Sequence, residues 1–105
     1  RGPSMSPAVA IYEPGMVIHA NFPFGRHYAV VGEDTGESLE VHVVTSTMWP
    51  KEIHPTIPIY PNEELPFSRT SYIQVNTETI SKDLVDNEFD LLPEEYIKRL
   101  QEVRE

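Results

Sequence analysis

Two short runs that meet at a proline–glycine turn constrain this chain more than anything else in it. Met16 to Phe22 alternates, with Ile18, Ala20 and Phe22 on one side and Val17, His19 and Asn21 on the other. A period of two marks a strand, because successive side chains of an extended backbone point to opposite faces. Pro23-Phe24-Gly25 breaks the run, and a second strand follows from His27 to about Gly32. Strands joined this closely pair antiparallel, since parallel pairing needs a crossover of a dozen residues or more. Asp34-Thr35-Gly36 supplies another hairpin turn, and Leu39 to Thr47 is the clearest strand of all. Leu39, Val41, Val43 and Thr45 share one of its faces, opposite Glu40, His42, Val44 and Ser46.

The chain then changes character. Pro50, Pro55, Pro58, Pro61 and Pro66 exclude a helix or a central strand, because proline lacks the N–H that either would use. Ile57 to Tyr60 fits a short edge strand within a surface loop, and Ser71 to Val75 fits a further strand. Asn76 to Asp90 reads as irregular, with a turn of helix near Ser81 to Val85. The last element is a helix from Pro93 to Val103, with Tyr96, Leu100 and Val103 as its apolar stripe. Pro93 suits a first helical position, Glu94 and Glu95 suit the positive end of the helix dipole, and Lys98 and Arg99 suit the later turns. Leu92 stands where a capping Ser or Asp is usual. The fold class is therefore mainly β (α+β), an antiparallel sheet with a C-terminal helix packed on it.

At 105 residues the chain makes one domain. Arg1 to Ser4 read as a remnant of expression cloning, and residues 5–105 as the domain itself. Without cysteine there is no disulfide, thiol nucleophile or thiolate metal site. No apolar run is long enough to span a bilayer and no signal-peptide core is evident, so the expectation is a cytoplasmic protein without membrane contact. The net charge of −9 opposes nucleic-acid binding, which draws much of its affinity from basic groups. Any RNA contact must use a local basic patch.

Arg26 and His27 open the second strand, and they suit the handling of an anion. Arg grips phosphate oxygens through two parallel bonds, and His exchanges protons near neutral pH. The plainer reading is a solvated hairpin turn. Trp49 either pins the proline-rich loop to the core or offers a stacking surface for a base. His19, His27 and His42 lie on three strands that can be neighbours, but their spacing matches no zinc motif, so no metal or other cofactor is expected.

The order of these segments resembles the MazF/PemK family of toxin endoribonucleases. Gly15-Met-Val-Ile-His-Ala-Asn-Phe-Pro-Phe is similar to the family's opening strand. His27-Tyr-Ala-Val-Val resembles its Arg-Pro-Ala-Val-Val strand. Ser71-Tyr-Ile-Gln-Val, Ile80-Ser-Lys and Leu92-Pro-Glu-Glu resemble its final strand, linker and helix. The resemblance implies a small SH3-like antiparallel β-barrel and metal-independent cleavage of single-stranded RNA. It also implies a homodimer and an antitoxin-like protein or peptide partner. Aligned on Ala-Val-Val, His27 takes the place of the catalytic Arg, Arg26 is displaced by one residue, and Thr45 matches the assisting Thr. Asn21, Ser46, Thr47 and Trp49 are then the expected substrate contacts. Because side chains alternate along a strand, Arg26 is expected to point away from the site that His27 faces unless the hairpin bulges.

RNA cleavage without metal needs a base for the 2′-hydroxyl, an acid for the leaving 5′-oxygen, and donors for charge building on phosphorus. His27 can serve as acid or base, Arg26 can stabilise the phosphorane, and Thr45 can donate to a phosphate oxygen. The competing expectation is a non-catalytic barrel that dimerises or binds a peptide through its proline-rich loop.

Overall fold

In the computed structural model, which describes residues 11–46, 55–61 and 65–104, the runs flanking Pro23 form the expected hairpin. Strands β1 (Met16–Phe22) and β2 (Gly25–Asp34) pair antiparallel, from Val17 opposite Val30 to Phe22 opposite Gly25. Only Pro23 and Phe24 connect them. Gly25 takes φ +129°, a value that side-chain-bearing residues rarely adopt, which is why a glycine closes this turn. Strand β3 (Ser38–Thr45) pairs with β2 from Leu39 opposite Asp34 to Val44 opposite Tyr28. It ends short of Thr47, with Ser46 already in a bend.

Strands β4 (Thr56–Ile59) and β5 (Ser71–Gln74) pair with each other, and β5 joins the end of β3 through Val44–Ile73 and Thr45–Tyr72. Pro58 is tolerated because β4 lies at the sheet edge.

The segment Asn76 to Asp90 is not irregular. Strand β6 (Glu78–Ser81) pairs with the first half of β3. A single 3-10 turn follows at Lys82–Leu84, where the sequence suggests a turn of helix, and β7 (Val85–Leu91) then pairs with β1. Local sequence hides β7 because Asp86, Asn87, Glu88 and Asp90 are residue types depleted in strands. It forms as an outer strand with most of its residues exposed, and its ladder bonds to β1 outweigh that propensity.

The strand path is β4-β5-β3-β2-β1-β7, with β6 paired to β3 off that path. Both faces of the central strands are buried. On one, Val17, Val30, Val44 and Ile73 pack with Ile57, Ile59 and Phe67. On the other, Ile18, Ala20, Ala29, Val31, Val41 and Val43 pack with Tyr12, Phe22, Leu39 and Ile80. This explains the uninterrupted apolar run in β2, since a strand covered on both sides has no polar face to alternate.

Helix α1 (Glu94–Arg104) covers the first face with Leu100 and Tyr96, and Leu92 is buried beside them. Leu92 thus anchors the helix start instead of capping it, while the Pro93 carbonyl accepts from the Tyr96 and Ile97 amides. Among the described residues no strand pairing joins β4 to β7. The helix links these ends through side chains, as Tyr96 packs with Ile57 and Ile59 and its hydroxyl accepts from the Tyr60 amide at 3.4 Å. Gly15 sits under α1 with φ +93°, and a Cβ there would lie 2.7 Å from Ile97 Cδ1.

One charged pair is inside the fold. Lys82 is 6% exposed and its Nζ lies 2.9 Å from Asp34 Oδ2. Asp34 also accepts from the Tyr12 and Gly36 amides at 2.9 Å each. The Tyr12 amide is the main reason its carboxyl is lowered to about 2, with Lys82 adding to the effect. Tyr12 itself donates to Glu88 Oε2 at 3.1 Å. Burial, followed by the nearby Glu88 charge, raises its phenol above the ordinary value. This cluster ties the chain before β1 to the ends of β2 and β6 and to β7. Among the described residues, no helix is long and apolar enough to cross a membrane.

A candidate anion-binding groove

The β2–β3 ladder stops at the Tyr28–Val44 pair. Arg26 and His27 of β2 lie beyond that point, as do Thr45 at the end of β3 and Ser46 just after it, and a groove of about 320 Å³ opens there. Residues Pro66 to Arg69, which lead into β5, form its far wall. Ser71 is buried, and its hydroxyl donates to the Arg69 carbonyl at 3.2 Å, which tightens the approach to the strand.

Arg26 and His27 both border the groove but leave β2 on opposite faces. Arg26 is paired with Asn21, and His27 with Ala20, whose side chain belongs to the second core. The one-residue displacement therefore does separate the two side chains by face, as alternation requires. Both are nevertheless among the residues that border the groove at the ladder's end. Asn21 Oδ1 accepts from Arg26 Nε at 2.9 Å. That bond orients the guanidinium and leaves its two terminal nitrogens for a bidentate acceptor. Asn21 thus acts on Arg26 and does not itself line the groove. The His27 ring lies 5.3 Å from Phe24 and 6.2 Å from Phe22 by ring centroids.

Tyr28 is an aromatic hub of the groove, edge-on to Phe67 at 5.1 Å and to His19 at 5.0 Å. His19, on β1, donates from Nδ1 to Asp86 Oδ1 at 2.8 Å. A carboxylate only accepts, so this bond places the ring proton on Nδ1 and leaves Nε2 as the other exchangeable position. In the sequence His19 suggests no more than a metal ligand, and nothing there marks Asp86 or Arg69 as part of the site. His19 and Asp86 are 67 positions apart and meet because β7 pairs with β1, a pairing the polar sequence of β7 conceals.

The electrostatics are set by composition. Arg26 and Arg69 lie along the groove with two histidines and the hydroxyl residues Thr45, Ser46, Ser68 and Ser71, and no Asp or Glu is among the described residues lining it. In a chain with 17 acidic and 8 basic residues, this is a local basic site of the kind RNA contact would require.

His42 does not join it. It is 1% exposed, and its Nδ1 donates to the Gln74 carbonyl at 2.9 Å. It borders a separate cavity of about 180 Å³ between α1 and the sheet. The three histidines considered as zinc ligands are thus divided between two sites, and among the described residues no three metal-ligating side chains converge. Thr47 and Trp49 lie outside the described residues. No protein-family model matches the chain, and no curated protein sequence matches it.

Proposed function

We propose that the groove binds the phosphodiester of single-stranded RNA and cleaves it without metal by attack of the 2′-hydroxyl, the activity that the MazF/PemK resemblance implies. The observation that carries this reading is the union of Arg26, His27, Thr45 and Arg69 along one groove, with no carboxylate among the described residues lining it. Arg26 stabilises the pentavalent phosphorane, where negative charge grows on the equatorial oxygens. Thr45 and Ser46 donate hydrogen bonds to the same phosphate. His27 transfers a proton. The chemistry requires no cofactor, and the products are a 2′,3′-cyclic phosphate and a 5′-hydroxyl. In this reading the chain is a cytoplasmic homodimer restrained by an antitoxin-like protein.

The test is cleavage of long single-stranded RNA in EDTA by wild type, His27→Ala and Thr45→Ala. Discrete cyclic-phosphate fragments that disappear in the variants support the assignment. Equal cleavage by all three means that other residues, or a contaminant, do the chemistry. A second reading, a protein-binding module on the same fold, draws on Phe24 and Tyr60, large aromatic side chains more than half exposed. It predicts no RNA cleavage by any form, with partner capture lost on Phe24→Ser or Tyr60→Ser.

A further inference from the structure

The mechanism above needs two proton-transfer groups, one to accept from the 2′-hydroxyl and one to donate to the 5′-oxygen, and it names only His27. We propose that His19, oriented by Asp86, is the general base of this groove and that His27 is the general acid; this rests on the ribonuclease reading. Three observations support it. The 2.8 Å bond from Nδ1 to Asp86 fixes the tautomer and leaves Nε2 as the position that exchanges protons. The edge-on contact with Tyr28 at 5.0 Å holds the ring from a second direction. The β1–β7 pairing breaks register on both sides of this region, between Met16 and Ile18 and between His19 and Ala20. Such irregularities redirect side chains and are frequent beside active sites.

The groups around His19 are consistent with this role. Asp86 comes from β7 with Asn87 paired opposite, and Tyr28 comes from β2. Arg26 and Arg69 border the same groove, and so does His27, which leaves the sheet on the face opposite His19. A carboxylate on one ring nitrogen stabilises the imidazolium that forms when the other takes a proton, the role an aspartate plays in hydrolytic triads. In the step itself, Nε2 takes the 2′-hydroxyl proton as the 2′-oxygen bonds to phosphorus. The phosphorus–5′-oxygen bond breaks, and the leaving oxygen takes the proton carried by His27. Asp86 is a positioning residue, since it reaches the reaction only through His19.

The experiment pairs ordinary RNA with an oligonucleotide whose scissile 5′-oxygen is replaced by sulfur, a leaving group that needs no acid. His19→Ala is expected to slow cleavage of ordinary RNA by about 10²- to 10⁴-fold and to remain as slow on the sulfur substrate. His27→Ala should be slow on ordinary RNA and recover toward wild type on the sulfur substrate. The fall in rate toward acid pH should disappear with His19→Ala. Asp86→Asn should lower kcat with KM unchanged, and Asp86→Glu should restore part of the loss. His19→Gln and the unfolding midpoints of all variants guard against a folding defect. Wild-type rates in His19→Ala, or its rescue by the sulfur substrate, would overturn the base assignment alone. A wild-type protein that cuts no RNA overturns both the assignment and the ribonuclease reading.

Discussion

Replacing Asp34 with asparagine tests the buried Lys82 pair directly. The change keeps the shape and removes the charge. Because the folded carboxyl titrates at about 2 against an ordinary 3.8, the folded state favours the ionised form. At about 1.4 kcal/mol per pH unit, this preference contributes roughly 2 kcal/mol. The contribution is complete above the unfolded value near 4 and is lost as pH falls through the folded value near 2. The substitution also leaves the Lys82 ammonium buried without its carboxylate, and removing one member of a buried pair costs about 3–5 kcal/mol. The larger figure governs at neutral pH. Urea unfolding followed by far-ultraviolet circular dichroism should place Asp34→Asn about 3–5 kcal/mol below wild type at pH 7. That gap should narrow by about 2 kcal/mol between pH 4.5 and pH 2. The double variant Asp34→Asn/Lys82→Met, which removes both charges, should recover much of the loss. A gap under about 1 kcal/mol at pH 7, or one that does not change with pH, would show that the pair lies in a solvated setting and would refute the reasoning.

Three further outcomes follow from the same geometry. Tyr12 should ionise above the usual tyrosine range because burial and Glu88 both disfavour its phenolate. Its contribution is present below pH 10 and lost as pH rises further, so Tyr12→Phe should remove a late-titrating phenol from an alkaline absorbance scan. Gly15→Ala combines a positive φ with a 2.7 Å contact to Ile97 and should destabilise by about 1–3 kcal/mol, with partial relief from Ile97→Ala; equal stability to wild type would argue against the close seating of α1. Arg26→Lys should weaken binding of short single-stranded RNA nearly as much as Arg26→Ala, because a point charge lacks the two-pronged geometry. Filter binding at fixed salt would show whether charge alone suffices.

Much of the architecture is legible in the residues. The alternation of Met16–Phe22 and of the run from Leu39 specifies both the strands and the faces that pack, although the second run ends at Thr45 and not Thr47, and Gly25 marks the turn. Of the stripe Tyr96, Leu100 and Val103, the first two lie on the buried side of α1, whereas Val103 is 50% exposed. Strands β6 and β7 are not legible, since short stretches such as Val85-Asp-Asn-Glu carry no apolar alternation and are extended because their partners already are. The site is divided in the same way. Arg26, His27 and Thr45 flank a local turn or strand end and can be singled out by chemistry. His19–Asp86 depends on a β1–β7 pairing across most of the chain, and Arg69 enters through a segment with no pattern of its own. Side-chain alternation correctly separates Arg26 from His27 by face, yet it does not foretell that a groove at the ladder's end admits both.

One edge of β3 is shared. Glu78 to Ser81 pairs with its first half and Tyr72 and Ile73 with its last residues, so the sheet forks at His42, whose ring reaches across to the Gln74 carbonyl. A fork divides cooperativity. The branch carrying β4, β5 and the groove wall is held to β3 by only the Val44–Ile73 and Thr45–Tyr72 pairs, and regions of few shared ladder bonds open at lower free energy than the whole. Amide exchange should therefore be faster at Tyr72 and Ile73 than at Val30 and Val43. The far wall of the groove is then the part of the sheet able to yield, while the half carrying the buried ion pair keeps the remaining strands in register.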